Sequence, residues 1–340
     1  MREPAFWWRA GTGGPLAPLA ALYGTVAGLR MKARGRKAGL PVICLGNLTI
    51  GGAGKTPAAL AVAQLLHTVH ERPFFLSRGY GGRLAGPLRV NPGLHHAADI
   101  GDEPVLLARL APTVVARDRV AGAAFAASAG ASVIVMDDGF QNPSLVKDLS
   151  IVLVDGHRGV GNGRVVPAGP LRAPLDLQLD RAQALVVVGT PDGAARVVER
   201  AERRRIPIFH GRLEPDRSVV NAIGKRKVLA FAGIADPEKF FATLAAAGIQ
   251  VTNRTGFPDH HRFSAAEATD LLAQAQANNL MLVTTEKDLA RLAGAPELQK
   301  LAAHASALPV RLLIGQQDRL REMILTTITS HRAAALRRKA

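Results

Sequence analysis

The chain has a single cysteine, Cys44, so it can form no intrachain disulfide and no thiolate zinc cluster, and a reducing compartment is the default expectation. Aromatic residues are scarce as well, 2 Trp, 2 Tyr and 11 Phe in 340 residues, which makes the cluster Phe6-Trp7-Trp8 stand out. No stretch reaches the ~20 apolar residues that a spanning helix needs; residues 15–29 are too short and too rich in Gly and Pro. Acidic side chains are missing altogether between Glu3 and Glu71, whereas Arg9, Arg30, Lys32, Arg34, Arg36, Lys37 and Lys55 fall in that span. Gly and Pro, at 34 and 21 residues, stay below the level that marks low-complexity chains.

What is present fits a folded two-domain protein. The 340 residues exceed twice the ~150 of a typical domain, and 48% hydrophobic against 21% charged residues exclude disorder as the main state. The balance of 43 basic and 27 acidic side chains gives +16, which points to an anionic partner: nucleic acid, an acidic membrane or a phosphorylated substrate. The basic residues form no recognisable nucleic-acid motif, so no nucleic acid is expected. They concentrate near the N-terminus, with a second cluster at Arg332, Arg337, Arg338 and Lys339.

At the N-terminus Leu19, Leu22, Tyr23, Val26 and Leu29 recur at helical spacing ahead of the basic block Arg30 to Lys37. An amphipathic helix lying on an anionic membrane surface fits this pattern, and so does a helix packed on its own domain with a solvated basic flank. A signal peptide does not, because its charge should precede the apolar run.

From Pro41 onward apolar runs alternate with helical stretches: Val42 to Leu45, Phe74 to Leu76, Thr113 to Ala116, Val133 to Met136, Ile151 to Val154 and Leu185 to Val188. Such alternation predicts a doubly wound, mainly parallel α/β sheet. A second series, from Val228 to Ala232 through Val310 to Ile314, predicts a smaller α/β/α domain. With a boundary in the charged stretch Glu199 to Arg205, the chain divides into an N-terminal segment 1–40, a phosphate-loop domain 41–198 and a second domain 206–325.

Immediately after the first strand, Thr49, Ile50, Gly51, Gly52, Ala53, Gly54, Lys55 and Thr56 open a helix. Glycine frees backbone N–H groups to cradle phosphate oxygens, a lysine reaches the β- and γ-phosphates, and a hydroxyl at the next position binds Mg²⁺. The usual pattern has glycine where Thr49 stands, so this loop is a variant. Asp137-Asp138 at the end of a strand is the arrangement that holds Mg²⁺ beside such a loop. Asp102, in Gly101-Asp102-Glu103-Pro104, is either the cap of a helix or the general base of a kinase. Asp259-His260-His261 is either a polar loop or the source of a histidine that completes the site when the domains close. Two further loops, Ser77 to Arg83 and Gly156 to Pro174, read as anion-binding elements or as solvated surface.

Together these residues resemble one family. Gly46-Asn47-Leu48-Thr49 with the phosphate loop, Ser77 to Arg83, Gly101 to Pro104 and Asp137-Asp138-Gly139-Phe140-Gln141 carry the likeness through the first half of the chain. Gly161-Asn162-Gly163, Pro167 to Arg172, Asp259-His260 and Thr284-Thr285-Glu286-Lys287-Asp288 complete it, all in order. They are similar to the tetraacyldisaccharide 4'-kinases, the lipid A 4'-kinases of Gram-negative bacteria. The resemblance implies two α/β/α domains, ATP with Mg²⁺, and phosphorylation of a lipid-linked glucosamine disaccharide 1-phosphate on its 4'-hydroxyl at the cytoplasmic face of the inner membrane. It carries the nucleotide loop to Lys55 and Thr56, the Mg²⁺-site acids to Asp137 and Asp138, the catalytic base to Asp102 and its partner to His260. One departure is Ala173, where the family usually has Glu, so a contact from that side chain is absent or supplied elsewhere. A membrane-associated NTPase switch, releasing phosphate rather than transferring it, is the alternative.

Overall fold

The computed structural model describes residues 3–337 as two α/β units, one inserted into the other. In chain order the strands are β1 (Val42–Asn47), β2 (Pro73–Ser77), β3 (Leu88–Arg89), β4 (Thr113–Val115), β5 (Val133–Asp137), β6 (Leu149–Asp155), β7 (Ala184–Val188), β8 (Ile208–Pro215), β9 (Val228–Ala232), β10 (Val251–Gly256), β11 (Met281–Thr284), β12 (Ala305–Ala307) and β13 (Val310–Ile314). Nine of them form one sheet in the order β13-β8-β7-β6-β1-β5-β2-β4-β3, antiparallel only at its two edges, β13 on β8 and β3 on β4. The other four form a parallel sheet, β10-β9-β11-β12.

The central strands are apolar on both faces, as parallel strands covered by helices must be. Along β1, Val42 and Cys44 enter one apolar layer, with Ile134 and Met136 of β5, while Ile43 and Leu45 enter the opposite layer. That second layer also receives Val62 and Leu66 of the helix α2 (Lys55–Thr68). Because β1, β5, β6 and β2 run parallel, their C-terminal ends Asn47, Asp137, Asp155 and Ser77 meet at one edge, where open α/β sheets bind ligands.

The structure moves the expected division at 206. Glu199–Arg203 ends a helix whose Val197 and Ala201 pack into the large sheet, and β8 and β13 both belong to that sheet. The C-terminal helix Gln317–Leu336 returns as well, burying Leu320, Ile324 and Ile328 beside Ile43. The smaller unit is therefore residues 216–309, held by two adjacent crossings where Asp216 N donates to Pro309 O at 2.9 Å. A short, mostly apolar segment such as Val310–Ile314 declares a strand but not its sheet, which explains the displaced boundary.

The helix α1 (Ala17–Lys32) forms where expected, and the face it turns inward is the one opposite the apolar stripe. Ala20, Gly24, Gly28 and Met31 are its buried residues, and Gly24 and Gly28 let it approach Val165, Pro174 and Leu177 closely. Leu19, Leu22, Tyr23, Val26 and Leu29 face outward, 45% to 67% exposed, followed by the exposed Arg30, Lys32 and Arg34. Among the described residues no helix is long and apolar enough to cross a membrane. Arg338 and Lys339 of the C-terminal basic cluster lie outside the described residues.

Candidate active site

The phosphate loop leaves β1 at Asn47 and delivers Gly54 as the cap of α2. Gly51 and Gly54 have φ of +100° and +81°, a backbone conformation that residues with a Cβ rarely adopt, so glycine is called for at both. Lys55 is buried, its Nζ 3.5 Å from Gly51 O and 3.7 Å from Asp138 Oδ2. Burial pulls its pKa below the usual ammonium value, and Asp138 opposes that shift.

The 156–174 segment braces this loop instead of lying idle on the surface. Ile50 N donates to Pro170 O at 2.8 Å, and Arg172 Nε donates to Thr49 O at 2.9 Å. The same guanidinium grips both oxygens of Asp138, at 2.8 and 3.2 Å. Burial alone would raise Asp138, but Lys55 and Arg172 hold it well below the usual carboxylate range. Ala173 is fully buried in the apolar layer with Leu48 and Leu171, so its side chain does not reach the cleft.

Asp137 differs from its neighbour in every respect. Both its carboxylate oxygens are buried without a hydrogen-bond partner, and the hydroxyl of Thr56 is in the same state. Burial, with Glu103 and Asp138 nearby, pushes the Asp137 carboxyl up to about 7. Buried polar atoms left unpaired cost of the order of 1–3 kcal/mol each, more when charged, so such a set calls for a cation. The unpaired hydroxyl and carboxylate fit Mg²⁺, a hard ion that prefers oxygen ligands. Asp138, already committed to two cations, is not free in the same way.

Across the cleft stands Asp102, first residue of the helix Asp102–Leu107 and nearly inaccessible to water. A Cβ on the preceding Gly101 would lie 2.4 Å from Tyr80 O, and this close approach seats the helix start against the Ser77 to Arg83 loop. Asp102 Oδ1 accepts from Glu103 N at 3.0 Å, and Oδ2 accepts two bonds from Arg291 of the smaller unit, through Nε at 2.9 Å and through Nη2. His260 Nδ1 stands 3.6 Å from the same Oδ2. Burial would raise Asp102, yet His260, Lys287 and Arg291 together hold it low, while Asp102 in turn raises His260. His260 lines the cleft and Asp102 stands behind it, with the Tyr80 ring edge-on to the imidazole at 5.0 Å.

The cleft between the units has a volume of about 490 Å³ and brings together Gly51, Lys55, Thr56, Asp137, Asp138 and His260. Its lining also has an apolar part, Leu60, Leu106, Leu213, Leu308 and Val310, the last two flanking the crossing at Pro309. Sequence reasoning missed Arg291, whose only signal was its spacing of three from Asp288 on one helix face; the two are ion-paired at 2.7 Å. It also left open the bracing role of Arg172.

A phosphate loop on a central parallel strand, facing a carboxylate and an imidazole from opposite units, defines the chain as a P-loop phosphotransferase by class. Comparison with known proteins narrows the class. The family model described as tetraacyldisaccharide-1-P 4'-kinase matches residues 14–329. The chain is 51% identical to the tetraacyldisaccharide 4'-kinase of Rhodopseudomonas palustris strain BisA53, over 98% of this chain and 97% of that one. It is 50% identical to the enzyme of the same name from Bradyrhizobium sp. strain BTAi1, over 100% and 97%. A crystal structure of LpxK from Aquifex aeolicus in complex with ATP superposes with a TM-score of 0.71 at 29% identity, covering 93% of this chain and 99% of that chain. The chain belongs to the tetraacyldisaccharide 4'-kinase family.

Proposed function

We infer that the protein transfers the γ-phosphate of ATP to the 4'-hydroxyl of a tetraacyldisaccharide 1-phosphate, a step of lipid A biosynthesis. The observation that carries the reading is the shared cleft, with the phosphate loop on one wall and the His260–Asp102 pair on the other. The glycine-rich loop and Lys55 hold the β- and γ-phosphates, and the apolar lining of the cleft takes the adenine. Thr56 and Asp137 would hold Mg²⁺, which when bound neutralises charge on the β- and γ-oxygens. Asp138 holds Lys55 and Arg172 in place rather than ligating directly. The 4'-hydroxyl proton passes to the Asp102–His260 pair, with His260 on the cleft side and Arg291 keeping the carboxylate ionised.

The same reading seats the protein on the cytoplasmic face of the inner membrane as a peripheral protein. Five large apolar side chains of α1 point away from the protein, and burying each is worth roughly 1.5–3 kcal/mol. Each adjacent basic residue adds about 1 kcal/mol at an anionic surface. Ala20, Gly24, Gly28 and Met31 carry the packing of α1 on the protein, which leaves the leucine-rich stripe for the lipid.

Incubation with labelled ATP and a tetraacyldisaccharide 1-phosphate tests the activity. Label in a lipid bisphosphate is the expected product; label released only as inorganic phosphate would replace the kinase reading with a nucleotide switch.

A further inference from the structure

Lys287 joins the two units at the cleft. It lies in the first turn of the helix Glu286–Leu292, where the helix dipole disfavours a cation, and it is half-buried. The turn that carries it is rigid: Thr285 Oγ1 accepts from Asp288 N at 3.1 Å and donates to Asp288 Oδ2 at 2.7 Å, and Thr284 Oγ1 donates to Phe231 O at 2.8 Å. The side chain leaves the smaller unit, lines the cleft and pairs with Glu103 of the large unit at 2.8 Å. Burial alone would lower the Lys287 pKa, but Glu103 and Asp102 outweigh it, so the amine stays charged. Its charge is felt on both sides of the chemistry, helping to lower Asp102 on the proton side and Asp138 on the nucleotide side and opposing the rise of Asp137. The other lysine that the smaller unit places in the cleft, Lys239, is tied at 2.7 Å to Asp155, which also accepts from His157 N and Arg158 N.

We propose that Lys287 is a catalytic cation supplied by the smaller unit, which turns from Glu103 to the γ-phosphoryl oxygens as that group passes from ATP to the acceptor. The inference rests on the kinase reading and adds a residue to it. In the transfer the acceptor oxygen forms its bond to Pγ and the bond from Pγ to the bridging oxygen breaks. The electron pair leaves with ADP, and the acceptor proton goes to the Asp102–His260 pair. Negative charge on the three equatorial oxygens is greatest midway, and an ammonium brought beside them acts where it matters most. Lys55 serves the nucleotide from the large unit, and Lys287 faces it from the other wall, so both units must be in place for turnover.

The test separates a catalytic charge from a mere tether between the units. Lys287→Ala and Lys287→Gln, the second keeping a donor for Glu103, should each lower kcat by about 10²- to 10³-fold, the loss typical of one charge-stabilising donor. KM for ATP should stay within about threefold, and Lys287→Arg should retain most of the activity. Wild-type enzyme should bind ADP with aluminium fluoride more tightly than ADP alone, and the Ala and Gln variants should lose that excess. Arg109→Ala breaks the neighbouring cross-unit pair with Glu286, 3.1 Å long, by removing the partner that does not line the cleft, and should leave turnover near wild type. Near-normal kcat in either charge-deleting variant overturns the proposal, as does an Arg109→Ala loss equal to that of Lys287→Ala. Should the Ala variant not fold, the Gln variant decides. Absence of phosphorylated acceptor with wild-type enzyme would refute the kinase reading itself and is read separately.

Discussion

The two walls of the cleft are built by different means. The phosphate wall comes from a short piece of chain, residues 47–56, with Asp137 added by the end of the neighbouring strand, and its geometry follows from parallel pairing of β1 with β5 and β6. The proton wall has no such continuity: Asp102, His260 and Arg291 come from three separate segments on two units, and ion pairs across the interface bring them together. A site half is robust when neighbouring backbone sets it, and sensitive to domain placement when side chains set it. Substitutions on the first wall should therefore act on nucleotide chemistry alone, and those on the second should couple activity to the fit of the units.

The largest effect should come from Lys55→Ala. Turnover should fall by at least ~10³-fold, as the loop lysine neutralises charge between the β- and γ-phosphates. The fold should survive, because Asp138 keeps both bonds to Arg172. Circular dichroism with a turnover assay checks this, and a folded variant with near-normal turnover would contradict it.

Asp102→Asn comes next, with a kcat loss of roughly 10²- to 10⁴-fold and nearly unchanged nucleotide affinity. His260→Ala should cost less, and the double variant should resemble Asp102→Asn alone, because the pair acts as one unit. Arg291 keeps Asp288 and the Gly233 carbonyl as partners, so the stability cost should be about 1–3 kcal/mol. If activity per folded molecule persists, Asp102 is only a helix-end residue.

Asp137 gives a stability signature of smaller size. Its folded-state pKa of about 7 lies above the ordinary value of 3.8, so the folded state binds the proton more tightly. The metal-free protein should lose stability as pH rises from about 4 through 7, by up to ~4 kcal/mol at 1.36 kcal/mol per pH unit. Mg²⁺ should restore it at pH 8 and do little at pH 5. Asp137→Asn should melt higher than metal-free wild type at pH 8, lose the Mg²⁺ response and be inactive. A pH-independent difference between the two melting curves would refute the carboxylate assignment.

The smallest catalytic effect belongs to the outer face of α1. Val26→Glu with Leu22→Glu should reduce sedimentation with anionic liposomes by about tenfold or more, leaving ATP binding unchanged. Removing residues 1–29 is a less clean probe, since Trp7 Nε1 donates to Pro167 O at 2.9 Å and Arg158 Nη1 to Glu3 Oε2 at 2.9 Å, contacts that brace the segment behind the phosphate loop. Unaltered liposome binding by the double glutamate variant would assign the exposed stripe no membrane role.

Local chemistry was legible in the amino-acid order wherever one short segment carries it. The run from Val42 through Thr56 reads as strand, phosphate loop and helix because alternation, glycine and the Lys-Thr pair are contiguous, and Asp137 reads as a strand-end acid for the same reason. The apolar stripe of α1 was legible too, but not the direction it faces, because glycine and alanine on the opposite side pack more closely than leucine allows. Tertiary structure alone decided that β8 and β13 close the large sheet, that Asp137 is left unpaired while Asp138 is held by Lys55 and Arg172, and that Arg291 and Lys287 cross the interface to Asp102 and Glu103. The reason is physical. Hydrogen-bonding partners and burial set the charge state of a carboxylate, and those come from residues nearly two hundred positions away that only folding brings within 3 Å.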